Sequence, residues 1–157
     1  MNLIIEGCDC VGKTSIIKEF IKLNPEYKMI HCSNPKTMED GRIQYIGIVN
    51  RLQHEDNLIY DRALLGECVY GPMFRGYYPE YMRDLEKEIP LNTNLILVTC
   101  HPDEIKKRFD GEFIIESDIP KIQDNFFKEW VRSNYHNKYI MDTTNERPES
   151  LARRVLK

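Results

Sequence analysis

The chain has 157 residues, with 22 Lys and Arg against 25 Asp and Glu, for a formal net charge of −3. That length suits one domain, 1–157, able to bury about 70% of the surface that its unfolded chain would expose. The mild acidity argues against a general nucleic-acid or membrane-surface binder, and no apolar run approaches the length that spans a bilayer.

Asn2-Leu3-Ile4-Ile5-Glu6 is a short apolar run that reads as a buried strand. With a core strand at the N-terminus, no signal peptide or anchor is expected, and the cytoplasm is the predicted compartment. The strand runs directly into Gly7-Cys8-Asp9-Cys10-Val11-Gly12-Lys13-Thr14, which fills G-x-x-x-x-G-K-[ST] at every fixed position. Behind it Ile16, Ile17, Phe20, Ile21 and Leu23 recur at helical spacing. Strand, glycine loop and helix in that order are the context the motif requires. The two glycines let the backbone curl so that its N–H groups face a phosphate, and the helix start adds further N–H groups and the positive end of its dipole. The nucleotide-holding set is therefore Gly7, Cys8, Asp9, Cys10, Val11, Gly12, Lys13, Thr14 and Ser15. Within it Lys13 reaches the β- and γ-phosphates of ATP, and the Thr14 hydroxyl is placed to ligate Mg²⁺.

Further along, Tyr27–Cys32 is a predicted second strand, and Thr37 can cap a helix carrying Ile43, Ile46, Val49 and Leu52. Asn57–Tyr60 is a third strand that delivers Asp61-Arg62 to its carboxyl end. A short helix follows over Leu64–Tyr70, broken by Gly71-Pro72, and then another over Pro79–Ile89. Asn94–Cys100 reads as a buried strand, with Pro102 starting the next helix. Lys106-Lys107-Arg108 opens a charged stretch expected to act as a lid over about 106–117. Ile119, Ile122, Phe126 and Trp130, with Phe127 and Val131, mark a long amphipathic helix. Lys138–Asp142 is the last strand, and Pro148 begins a closing helix. Strands separated throughout by helices mean an α/β fold, a parallel sheet covered on both faces. Ligands of such sheets lie beyond the carboxyl ends of the strands, where the glycine loop and Asp61-Arg62 both fall.

The five cysteines (8, 10, 32, 68 and 100) are odd in number and sit in or beside predicted strands, loop and helix, which suits reduced thiols. Cys8-x-Cys10 has no second Cys/His pair of matching spacing, so no metal centre is expected there.

A small phosphoryl-transfer enzyme needs a group that orients the attacking oxygen, an arginine on the transferring phosphoryl, and a basic lid. Asp61 can serve the Mg²⁺ shell or the nucleophile, Arg62 can clamp a phosphate, and the 106–108 cluster can supply the lid. Phe74 or Tyr77 can stack on a base, with Arg75 reading its edge or a phosphate.

Gly7-x-Asp9-x-x-Gly12-Lys13-Thr14 resembles the G-x-D-x-x-G-K-[ST] loop of thymidylate kinases, and Asp61-Arg62-x-x-x-Gly66-Glu67-x-Val69-Tyr70-Gly71 is similar to that family's D-R-[YF]-x-x-S-x-x-A-Y-Q segment. The resemblance implies a P-loop kinase, a three-layer α/β/α fold on a five-stranded sheet of order 2-3-1-4-5. It implies Asp9 against the sugar 3′-OH, Arg62 on the acceptor phosphate and Tyr70 against C2′. The slot of a loop arginine found in some members is Cys10, so the transition-state cation passes to Arg108, then Lys107. The family's R-E-P-G-G-T is here Ser33-Asn34-Pro35-Lys36-Thr37, and Arg42, Tyr45 and Arg51 are the candidates to replace the lost contacts. Helix-mediated homodimers are common in that family, and the short length suggests a trimmed, viral version in a host cytoplasm.

The leading expectation is transfer from Mg·ATP to a deoxynucleoside monophosphate, dTMP first. The alternatives are a nucleoside kinase, a kinase of a hydroxyl on DNA or a modified base (the one way a nucleic acid enters), and a regulatory module that binds nucleotide without transfer.

Overall fold

The computed structural model describes residues 1–109 and 116–157. Five strands, β1 (Asn2–Glu6), β2 (Lys28–His31), β3 (Leu58–Asp61), β4 (Thr93–Thr99) and β5 (Asn137–Asp142), form one parallel sheet of order β2-β3-β1-β4-β5. The helices are α1 (Lys13–Leu23), α2 (Met38–His54), α3 (Leu64–Tyr70), α4 (Met82–Lys87), α5 (Pro102–Arg108), α6 (Ile119–Arg132) and α7 (Pro148–Leu156). Right-handed crossovers from β1 leftward to β2 and from β3 rightward to β4 send their helices to opposite faces. Accordingly α1 packs with α7, and α3 with α6. The expected fold class and strand order are both present.

Burial follows from this arrangement. β1, the middle of β3 and most of β4 are covered on both faces and so read as continuous Leu, Ile and Val. The edges β2 and β5 are largely open to solvent. The Asn2 amide anchors the start of β1 by donating to Leu52 and Glu55 carbonyls at 3.2 and 2.9 Å, while its oxygen accepts from the Leu58 N–H at 2.9 Å.

Three local expectations differ from the structure. On α2 the inward stripe is Tyr45, Ile48, Val49 and Leu52, while Ile43 and Ile46 face solvent. Tyr45 turns inward because its hydroxyl has a buried carboxylate, Glu67, to meet. Phe127 and Val131 of α6 are likewise exposed. Gly71-Pro72 does not end the chain's helical path after α3, which continues as a wide π-type turn over Gly71–Arg75. Pro72 falls in the first turn, where a missing N–H costs nothing, and Gly76 at φ +74° closes it.

Candidate active site

The loop between β1 and α1 is built around two positive-φ glycines. Gly7 has φ +148°, and a Cβ there would lie 2.4 Å from the Val98 carbonyl oxygen, so no side chain fits. Gly12 has φ +102° and caps α1 without a side-chain bond. No acidic residue occupies the first turn of α1, so its N–H groups and dipole are uncompensated. Thr14 and Ser15 are exposed at that helix start. Lys13 is buried, its ammonium donating to the Gly7 and Cys8 carbonyls at 2.9 and 2.7 Å. Burial pushes the Lys13 pKa down, and Asp61 chief among the neighbouring acids pushes back.

Beyond the carboxyl ends of β1 and β3 a cavity of about 430 Å³ is lined by Asp9, Cys10, Gly12, Lys13, Thr14, His31, Asp61, Arg62 and Arg108. Residues far apart in sequence thus meet at one place. The Asp61 Oδ2 accepts from or shares a proton with His31 Nδ1 at 3.1 Å. The Asp61 Oδ1 is buried with no partner among the described residues. Asp61 and Thr14 line the same cavity, and one or two protein oxygens beside substrate phosphates are the usual donor set of Mg²⁺. The pair therefore fits the ion. Among the described residues no cluster of three or more His, Cys, Asp or Glu offers a metal cage.

Arg62 is the hinge of the site. It sits at φ +69°, in the left-handed region that a non-glycine residue adopts at a cost, with its N–H tied to the Ile5 carbonyl at 2.9 Å. Its guanidinium donates to Asp9, and its Nε is buried without a partner among the described residues. Arg62 lines both the phosphate cavity and a small second pocket of about 10 Å³, room for about one water, formed by Cys32, Ser33, Asn34, Tyr45, Ala63, Gly66, Glu67, Tyr70 and Arg75.

The second pocket has a polar floor. Glu67 is 2% exposed and accepts from Arg75 at 2.6 Å, from Tyr77 and, at 3.5 Å, from Tyr45. Tyr70 is buried with an unpartnered hydroxyl. Phe74 stacks on Tyr70 at 5.9 Å between ring centroids and stays half exposed. Arg42, by contrast, lies on an exposed face of α2 near Glu39 at 3.6 Å and lines neither cavity. Arg51 pairs with Glu55, also on the surface.

Glu6 carried no role in the sequence reading, yet it lies buried beneath the start of α3, beside the site though lining neither cavity. Its side chain is fully buried; Oε1 accepts from the Ala63 and Leu65 N–H groups at 2.8 and 2.9 Å, and Oε2 has no partner among the described residues. Burial pushes its pKa up to about 7, against the lowering pull of the α3 N–H groups and Lys13. An acid placed last in an otherwise apolar core strand, one residue before the glycine loop, was the available signal. His31, Glu67 and Thr143 were also passed over.

Lys106, Lys107 and Arg108 form the last turn of α5. Arg108 reaches the phosphate cavity, held by Glu104 at 3.4 Å and Thr143 at 3.3 Å. The rest of the expected lid, 110–115, lies outside the described residues. A third cavity of about 320 Å³, lined by Cys100, His101, Gln123, Asp142 and Thr144 among others, opens at the ends of β4 and β5.

No protein-family model matches the chain. It is 26% identical over 160 residues to the SPbeta prophage-derived uncharacterized protein YorR of Bacillus subtilis strain 168, covering 98% of this chain and 96% of the relative. The crystal structure of YorR in complex with phosphorylated GDP superposes with a TM-score of 0.82 at 25% identity, over 99% of this chain and 94% of that one. Deoxyadenosine kinase from M. mycoides with bound dATP superposes with a TM-score of 0.69 at 14% identity, over 99% of each chain. Thymidylate kinase from Candida albicans does so with a TM-score of 0.63 at 13% identity, over 99% and 88%. The fold is that of the P-loop nucleoside and nucleotide kinases.

Proposed function

We propose that the protein transfers the γ-phosphoryl group of Mg·ATP to a deoxynucleoside monophosphate. The observation that carries this reading is the position of Arg62, which lines the phosphate cavity and the neighbouring pocket at once. The phosphate cavity takes the donor's triphosphate, and the pocket over Glu67, about 10 Å³ in this structure, must widen to take the acceptor's base, so that the two substrates meet at a guanidinium. In transfer, an acceptor oxygen forms a bond to the γ-phosphorus while the bond from that phosphorus to the β–γ bridging oxygen breaks, releasing ADP. Backbone N–H groups of the loop and of the α1 start, with Lys13, Arg62 and Arg108, face the charge that builds on the phosphoryl oxygens. Thr14 and Asp61 would hold Mg²⁺, which when bound neutralises phosphate charge. Asp9 anchors Arg62 and stands ready for the sugar hydroxyl.

The pocket floor bears on the acceptor's base. A carboxylate only accepts, and Arg75, Tyr77 and Tyr45 occupy three of its roughly four lone-pair positions. What remains asks for a donor on the base, beside an acceptor for the spare N–H groups of Arg75. Adenine, cytosine and guanine offer an amino group for this. Thymine meets the same demand, its N3–H donating to the carboxylate while the neighbouring O4 accepts from Arg75, so the hydrogen-bonding chemistry of the floor does not separate the four bases.

A second reading, a nucleoside kinase, is favoured by Glu6. A monophosphate oxygen is already anionic and needs no base, whereas a 5′-hydroxyl must give up its proton, and the Glu6 carboxyl, pushed up to about 7 by burial beneath Gly66, would take it where the small pocket beside Gly66 opens to the acceptor. Measuring ADP release with the four deoxynucleosides, their monophosphates and an oligonucleotide decides. Turnover with a monophosphate supports the first reading and turnover with nucleosides alone the second. ATP binding with no turnover on any of them would leave only a nucleotide-binding module.

A further inference from the structure

The turn after β5 places one hydroxyl between the phosphate loop and the arginine at the end of α5. The Thr143 Oγ1 lies 2.5 Å from the Val11 carbonyl oxygen, 3.3 Å from the Thr99 carbonyl oxygen and 3.3 Å from Arg108 Nη1. A hydroxyl has one proton to donate and two lone pairs. The shorter contact takes the proton, so Thr143 donates to Val11 and accepts from Arg108. Its backbone N–H bonds the Thr99 carbonyl at 2.9 Å, which fixes the turn to the end of β4. The Thr143 methyl carbon lies 3.3 Å from where a Cβ on Gly12 would be, so the side chain also packs against the second loop glycine. It is 8% exposed, shielded from competing water.

Arg108 has a second, weaker tether. Glu104, one turn earlier on α5, approaches its Nε at 3.4 Å, and both side chains are about one-third exposed. An exposed pair at that spacing holds an arginine loosely. The buried hydroxyl is the fixed point, and it is itself fixed to the loop that cradles the donor phosphates. Any shift of Val11 therefore moves the point from which Arg108 hangs.

We propose that Thr143 is a positioning residue that ties Arg108 to the phosphate loop, aiming its guanidinium at the terminal phosphate of the donor. The inference rests on the kinase reading for the role of Arg108, but its test does not depend on an acceptor. The affinities of Mg·ATP and Mg·ADP are measured by calorimetry for the wild type, T143V, T143S, R108A and the T143V/R108A double variant, with melting temperatures as the check on folding. Valine keeps the shape and deletes the hydroxyl, and serine keeps the hydroxyl and deletes the methyl. Expected are a fall of about tenfold in the ATP-over-ADP preference for both R108A and T143V, recovery of most of it in T143S, and no further loss when T143V is added to R108A. A purely structural role for Thr143 would instead add its cost in the R108A background. Additive losses, an unchanged preference in folded T143V, or an R108A variant with wild-type preference would each overturn the proposal. If the wild type turns over none of the acceptors while the binding cycle shows the coupling, the kinase reading fails and the positioning role stands.

Discussion

Arg62 donates to Asp9 across a gap of 53 residues, joining the turn after β3 to the phosphate loop after β1. The bond is made by a residue in a left-handed backbone conformation, at φ +69°. Removing the side chain should cost about 10²- to 10³-fold in kcat/KM, because both cavities lose their shared cation. Lysine should rescue little, since a single ammonium cannot hold Asp9 and a phosphate in the fork geometry of a guanidinium. Backbone strain separates from chemistry by comparing R62A with R62G. Both lack the side chain, yet glycine accepts positive φ freely, so R62G should be the more stable by about 1 kcal/mol in urea unfolding. Equal stability would mean that the turn relaxes once the guanidinium is gone.

Gly7 stands against Val98, the strand residue whose carbonyl oxygen would be 2.4 Å from any added Cβ. That oxygen belongs to the backbone of a buried central strand and cannot swing aside. Gly7→Ala should therefore destabilise the protein by about 2 kcal/mol or more and weaken Mg·ATP binding with it. Gly47 is the control: nothing lies within 4 Å of a Cβ there, and it occupies a helix interior, so alanine should stabilise by about 0.5–1 kcal/mol. Thermal melts of the two variants check both signs.

The sheet was legible because its central strands are buried on both faces and their apolar runs are separated by helical spacing. The phosphate loop was legible because its chemistry is local: eight consecutive residues make the cradle. The rest of the site is not local. Glu6 and Glu67 look like ordinary acids in sequence, and only the parallel register that sets Ile5 beside Asp61, with α3 starting over the end of β1, brings Glu6 under the α3 N–H groups and Glu67 to the second pocket. Arg42 and Arg51 illustrate the converse. Their charge suggested ligand contacts, but the inward phase of α2 follows Tyr45 and Leu52, which leaves both arginines on the surface.

Glu67 is nearly fully buried, and Arg75 is its ion-pair partner. Glu67→Ala would strand the guanidinium and two tyrosine hydroxyls, costing about 3–5 kcal/mol of stability. Glu67→Gln keeps the volume and is the informative variant. An amide loses the charge that strengthens every bond Glu67 accepts, from Arg75 and from the base alike. Relative to wild type, folded E67Q should lower kcat/KM by about tenfold for every acceptor whose base donates to Glu67. An unmoved kcat/KM in folded E67Q would remove Glu67 from acceptor binding.

Glu6 links stability to pH and also separates the two acceptor readings. Its ordinary value of 4.5 rises to about 7 in the folded protein, so between those values the native state holds a proton that the unfolded chain has released. Its stabilising contribution is complete below about 4.5 and is lost as the pH climbs through 7, a change of about 3 kcal/mol at most. Glu6→Gln cannot titrate, yet its amide oxygen still accepts from Ala63 and Leu65. Stability measured by urea unfolding from pH 5 to 8 should therefore fall more steeply for wild type than for E6Q. The kinetic effect depends on the acceptor. With a hydroxyl acceptor, E6Q removes the proton's destination and should lower kcat by about 10²- to 10⁴-fold, with the wild-type profile rising toward a plateau above pH 7. With a monophosphate acceptor no proton has to leave, and the loss should stay within about threefold. A large loss on a monophosphate would falsify the separation, because Glu6 would then be needed whether or not the attacking oxygen carries a proton.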